Sequence, residues 1–183
     1  MRKINTTPAF IIMVGVILLD QASKILIRRY IPLGDWIRVG KGAWGDFLQI
    51  CHLQNSGAAF SLSLPNPLWN RVFFVTTTVL AVVFILWLLR KATHKVQVVA
   101  FGLILGGAIG NNLIDRLFFG AVTDFVSLDI PDLIKGMDRW PVFNVADSAI
   151  FIAMCLLIFD MIFIREAKPS SSDPKPLPLD NNS

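Results

Sequence analysis

The sequence predicts an all-α integral membrane protein: four transmembrane helices with a small extracytoplasmic β-cradle and a second extracytoplasmic loop. The first observation behind this is composition. Of 183 residues, 54% are hydrophobic and only 16% charged, with a mean hydropathy of +0.60. A soluble domain carries about 25% charged residues, so this chain has more apolar surface than one core of its size can hide. The second is length, since four apolar segments approach the roughly 20 residues a helix needs to cross a bilayer. A water-soluble globular enzyme is excluded. A third observation concerns function. Of 13 acids, twelve are Asp and one is Glu166, and several Asp lie in or beside the apolar segments, where an ionised group is destabilising enough that function is the default reading.

The first span, 8–27, has Thr7 as its N-cap and Pro8 at the first helical position. It is apolar from Ala9 to Leu19, then meets Asp20, with Lys24 one turn later. The Asp20 to Arg29 flank lacks the small-residue cleavage site of a signal peptide, so an uncleaved span is expected. The loop 28–67 carries turn signals at Pro32, Gly34, Gly40, Gly42, Gly45, Pro65 and Pro67. Alternation over 46–53 predicts short strands, forming a small sheet at the membrane surface. The second span, 68–89, has no charge after Arg71, and the short Arg90 to Lys95 turn forces a hairpin with the third, 96–113. That third span is rich in small residues (Gly102, Gly106, Gly107, Ala108, Gly110), which let helices approach closely. The second loop, 117–141, holds Asp124, Asp129, Asp132 and Asp138; the fourth span, 142–164, carries Asp147 near its start and Asp160 near its end. Residues 1–166 thus read as one four-helix membrane domain. Residues 167–183, with four Pro and four Ser, read as a disordered cytoplasmic tail.

The formal charge of +4 is scattered, which excludes a nucleic-acid face and fits cations flanking apolar spans. Lys and Arg number eight on the side of the termini and nine on the other. Short loops weigh most, however, and the Arg90 to Lys95 turn has three positive residues and no acid, so the termini are expected in the cytoplasm. The two long loops and nearly all the Asp then face outward. Cys51 and Cys155 read as small buried hydrophobes rather than a disulfide.

An even number of spans gathers the outer helix ends, so Asp20, Asp115, Asp124 and Asp147 can meet in one layer. Asp20 and Lys24 form an i,i+4 ion pair with Arg28 another turn on, and a structural or lipid-headgroup role leads there. Asp115, beside Arg116 and after Asn111 and Asn112, reads as a structural acid tying the third span to a loop. Asp124 and Asp147 differ in having no basic residue within four positions. Two facing carboxylates in a low dielectric cannot both ionise freely. A pair sharing one proton can activate water and protonate a leaving amine. Proton relay, ion coordination or a charge at a helix N-terminus stay open as alternatives. The sequence has no HExxH, GxSxG or phosphate-binding loop and only His52 and His94, so neither metal nor cofactor is expected. His94 lies in the short turn away from these acids, leaving His52 for any Ser–His pair. For the whole chain, a small proton-coupled transporter or channel subunit and a purely structural membrane subunit compete with an enzyme.

The stretches Asp20-Gln21-Ala22-Ser23-Lys24, Asn55-Ser56-Gly57-Ala58-Ala59-Phe60, Gly106 to Arg116, Val122-Thr123-Asp124-Phe125 and Phe143-Asn144-Val145-Ala146-Asp147 occur in one order over roughly residues 8–165. In this the sequence resembles bacterial lipoprotein signal peptidase (signal peptidase II), an aspartyl peptidase family of the inner membrane. The resemblance implies that Asp124 and Asp147 are a catalytic dyad. It implies substrate-binding or supporting roles for Asp20, Lys24, Asn55, Gly57, Asn112, Asp115, Arg116, Asn144 and Ala146. It further implies diacylglyceryl prolipoprotein substrates, cut before the lipidated Cys at the periplasmic side of the inner membrane, with membrane lipids as the other partners. No metal or cofactor is needed, and a monomer is expected. Two departures stand out. The family reads Gly-Asn-x-x-Asp-Arg, whereas Gly110-Asn111-Asn112 carries one extra residue; counting back from Asp115 selects Asn112 and leaves Asn111 where Gly is expected. The Asp129 to Pro141 segment is also longer than a minimal member needs.

Overall fold

The computed structural model describes residues 4–57, 66–130 and 139–164. The tail, Asp132, Asp138 and the Ala58 to Phe60 end of one motif lie outside them. Among the described residues, four helices are long and apolar enough to cross a membrane: α1 (Thr7–Tyr30), α3 (Pro67–Arg90), α4 (Lys95–Phe118) and α5 (Val145–Ile164). Between α1 and α3 lie β1 (Trp36–Arg38), a short helix α2 (Ala43–Phe47) and β2 (Leu48–Asn55), and β3 (Val122–Leu128) follows α4.

Each helix start has a local cause. The α1 cap falls one residue earlier than the sequence predicts, because the Asn5 side chain accepts the Thr7 N–H at 3.0 Å; the helix then runs past residue 27, with Arg28 and Arg29 in its last turn. The Asn66 side chain takes the N–H groups of Leu68 and Trp69, with Pro67 opening α3. α5 begins at Val145 rather than 142, because Asn144 caps it in a reciprocal box with Asp147 and Phe143 is held in the sheet by Val126. α4 continues to Phe118 instead of ending at 113 because Ile109–Asp115 winds as a π-helix.

α4 is the central helix. Of its most apolar window 56% is buried, against 11%, 11% and 17% for α1, α3 and α5. Small residues allow this: a Cβ on Gly102 would lie 2.6 Å from the Ala9 carbonyl oxygen of α1, and one on Gly107 2.6 Å from that of Ala146 on α5. Ala9, Leu89, Val98, Phe101 and Leu105 form the buried cluster between the helices. The outward faces carry exposed apolar side chains such as Ile11, Leu18, Leu80 and Phe151, as lipid-facing helices do.

The sheet is antiparallel in the order β1-β2-β3. It differs from expectation at two points. Residues 43–47, partly within the predicted alternation, form α2, and the strand starts at Leu48. The third strand comes from the second loop: Val122 to Phe125 are all buried, so no two-residue alternation marks it. Its register sets Leu53 opposite Asp124 and Asn55 opposite Val122. Cys51 is buried but Cys155 is exposed, correcting the expectation of two buried thiols; both are free. Burial, with Asp124 nearby, pushes the Cys51 thiol up to about 11, well away from a reactive thiolate.

The end of the bundle remote from the sheet has its own polar cluster. Asp160, buried and thirteen residues (about 20 Å along a helix) beyond Asp147, accepts from Gln97 Nε2 at 2.7 Å and lies 2.7 Å from His94 Nδ1. His94 is therefore remote from the four outer acids but not from every acid.

Candidate active site

Asp124 projects from β3 and Asp147 from the first turn of α5, and both line one cavity of about 220 Å³ with Asn55, Gly57, Asn111, Asn112 and Arg116. Asn144 joins the two. The Asp147 N–H donates to its Oδ1 at 3.0 Å, which turns Nδ2 toward Asp124 Oδ1 at 2.7 Å. The Asn144 N–H returns a bond of 3.2 Å to Asp147 Oδ2. Helix capping therefore also sets the relation of the two acids. Asn55 is oriented in the same way: its Oδ1 takes the Gly57 N–H at 3.0 Å, and its Nδ2 faces Asp124 Oδ2 at 3.3 Å. Burial, and then the charge of Asp147, raise the Asp124 carboxyl to about 7, against the opposing pull of Asn55, Asn144 and Lys24.

Behind the cavity lies a layer of paired charges. Lys24 is fully buried and donates to Asp20 Oδ2 at 2.7 Å and to Asp115 Oδ2 at 2.8 Å. Arg28 donates to Asp115 Oδ1 at 2.9 Å and stacks over Phe119. Asp20 Oδ1 takes the Ala146 N–H at 3.1 Å, which ties α1 to the start of α5. Two carboxylates and two cations thus balance, with hydrogen bonds to the remaining oxygens, as a buried ionic cluster requires.

The predicted residues therefore fall into two groups. Asp20, Lys24, Asp115 and the Ala146 backbone belong to the charge layer, whereas Asn55, Gly57, Asn112, Arg116, Asp124, Asn144 and Asp147 surround or support the cavity. Arg116 does not pair with its neighbour Asp115. It donates to the carbonyls of Ser56 at 2.8 Å and Gly57 at 2.6 Å, is steadied by Asn112 Oδ1 at 2.9 Å and lies over Phe74. The residue that counting passed over is Asn111, whose Nδ2 donates to Asp147 Oδ1 at 2.8 Å. Its only signal in the sequence was the extra residue in the motif. Gln21, which nothing in the sequence distinguishes, also donates to Asp20 and Asp115. His52 is buried with Nδ1 at 2.8 Å from the Ile31 carbonyl. Among the described residues, no group of three or more His, Cys, Asp or Glu could hold a metal ion.

The chain is similar to known proteins over most of its length. Over 151 residues it is 40% identical to a lipoprotein signal peptidase of Desulforapulum autotrophicum, covering 81% of this chain and 87% of the relative. One from Serratia marcescens is 36% identical over 158 residues, covering 84% and 86%. A bacterial membrane enzyme solved by the in meso method at 2.3 Å resolution superposes with a TM-score of 0.75 and 28% identity, over 95% of this chain and 98% of that one. The family model described as Signal peptidase (SPase) II matches residues 12–163, a range that holds all four long helices in whole or in large part and both cavity aspartates. The chain is a bacterial membrane peptidase and belongs to the signal peptidase II family.

Proposed function

We propose that the chain is an aspartic endopeptidase that removes signal peptides from diacylglyceryl-modified prolipoproteins, cutting before the lipidated Cys. The observation that carries this is the Asn144 bridge, which presents the buried carboxylate of Asp124 and the half-buried one of Asp147 to one small cavity at the sheet end of four apolar helices. The substrate's acyl chains stay in lipid, its apolar signal segment lies against the helices, and the scissile bond enters the cavity.

Asp147 is the base: it lies in the first turn of α5, whose N-terminal end favours negative charge. Asp124, which projects from β3 and not from a helix N-terminus, carries the shared proton. Asp147 takes a proton from water as the water oxygen bonds to the scissile carbonyl carbon, and Asp124 gives its proton to the carbonyl oxygen. The resulting gem-diol collapses as the C–N bond breaks. The proton held by Asp147 goes to the leaving nitrogen, a hydroxyl proton returns to Asp124, and acid and amine are left. The sheet and Asp124 lie on the periplasmic side of the inner membrane, with the termini in the cytoplasm and the chain acting as a monomer.

The test uses the purified chain in detergent with a synthetic diacylglyceryl prolipopeptide, the products being read by mass spectrometry. A single cut leaving the lipidated Cys as the new N-terminus is expected, lost in Asp124→Asn and in Asp147→Asn. A cut elsewhere, or retained cleavage in either variant, contradicts the proposal.

A further inference from the structure

The extra residue of the Gly110-Asn111-Asn112 stretch coincides with the π-helix of Ile109–Asp115. One inserted residue would rotate the rest of an α-helix by about 100°, whereas a wider π-turn absorbs it and keeps both flanks in place. Here Asp115 stays on the Lys24 side and Arg116 on the cavity side. The two asparagines in that turn make separate connections. Lys24 Nζ donates to Asn111 Oδ1 at 2.6 Å. An ammonium group can only donate, so the Asn111 amide has one permitted orientation, and its Nδ2 donates to Asp147 Oδ1 at 2.8 Å. Asn111 is buried and joins the charge layer to the dyad. Asn112 instead holds Arg116, which binds the Ser56 and Gly57 carbonyls beside the cavity.

We infer that Asn111 is a positioning residue for catalysis, its amide locked by Lys24 so that it fixes the Asp147 carboxylate, while Asn112 governs substrate retention through Arg116. The inference rests on the dyad reading above. One neighbouring pair then divides the kinetic parameters: Asn111 affects the chemical step and Asn112 the binding of the peptide.

Steady-state cleavage of the same lipopeptide by the full chain in detergent tests this. Loss of one hydrogen bond to a charged group predicts a fall in kcat of about 10- to 100-fold for Asn111→Ala, with KM within about 3-fold. The acid limb of the pH profile should move to higher pH. Asn112→Ala should raise KM about 10-fold and change kcat by less than about 3-fold. If Asn111→Ala does not fold, Asn111→Asp carries the test: it keeps an oxygen for Lys24 but has no N–H for Asp147, and the same loss of kcat is expected. An Asn111 variant with wild-type kcat and pH profile, or an Asn112 variant that loses kcat at unchanged KM, overturns the inference. Asp124→Asn and Asp147→Asn run alongside. Cleavage by either of them faults the dyad reading, whereas inactive dyad variants beside a fully active Asn111 variant fault this inference alone.

Discussion

Two pairs of acids lie next to each other at the sheet end of the bundle, Asp20 with Asp115 and Asp124 with Asp147. Each of the first pair meets Lys24 Nζ, and Asp115 also meets Arg28. The second pair meets amide donors from Asn55, Asn111 and Asn144. The difference lies in the kind of donor. A direct cation balances the charge of a carboxylate, whereas a neutral amide orients it without cancelling its charge, so two such acids in one cavity compete for a proton. Asp124 is buried as Asp20 and Asp115 are; partner chemistry separates scaffold from reactive group.

The largest effect on stability is expected from breaking the first set. Lys24→Met leaves two buried carboxylates with Arg28 alone, and a loss of about 3–5 kcal/mol should appear as a marked fall in thermal midpoint in detergent. Adding Asp20→Asn should restore part of it, and strict additivity of the two changes would show that they do not interact.

A smaller stability effect should distinguish the second set, and its sign is opposite at high pH. Asp124 holds a proton in the folded state up to about 7, against an ordinary value of 3.8. Its stabilising contribution is complete below 3.8 and is lost as the pH rises through 7. Asp124→Asn removes that dependence, so the variant should gain on the wild type by about 1–3 kcal/mol between pH 5 and pH 8. Parallel stability curves would mean that Asp124 is ionised throughout. Asn144→Ala touches both acids. It should remove only about 1 kcal/mol as a helix cap yet lower kcat by about 10-fold or more through the lost bond to Asp124; equal small effects on both would make it a cap alone. The remote end sets the lower bound: His94→Ala should remove about 1 kcal/mol and leave turnover unchanged.

The sequence made much of this comparison legible. Length and hydropathy marked the four helices, and the absence of a cation within four residues separated Asp124 and Asp147 from Asp20, whose Lys24 stood one turn away. What it could not show was contact between segments. Lys24 bridges to Asp115 across 91 positions, and Arg116 ignores its neighbour to bind carbonyls some 60 positions back; no local pattern encodes either. β3 escaped notice because it is buried on both faces. The π-turn escaped because a change of winding leaves hydropathy untouched, which is also why counting along the motif picked Asn112 where the geometry brings Asn111 to Asp147.

Turnover by the four single variants Asp20→Asn, Asp115→Asn, Asp124→Asn and Asp147→Asn, measured on one lipidated substrate beside their thermal midpoints, tests the division most directly. The first two should lose stability by several kcal/mol while keeping turnover within about 10-fold when folded. The last two should fold normally and lose at least about 10³-fold in kcat. Substantial cleavage by a folded Asp124→Asn or Asp147→Asn protein, or abolished turnover in a stable Asp20→Asn protein, would contradict that division.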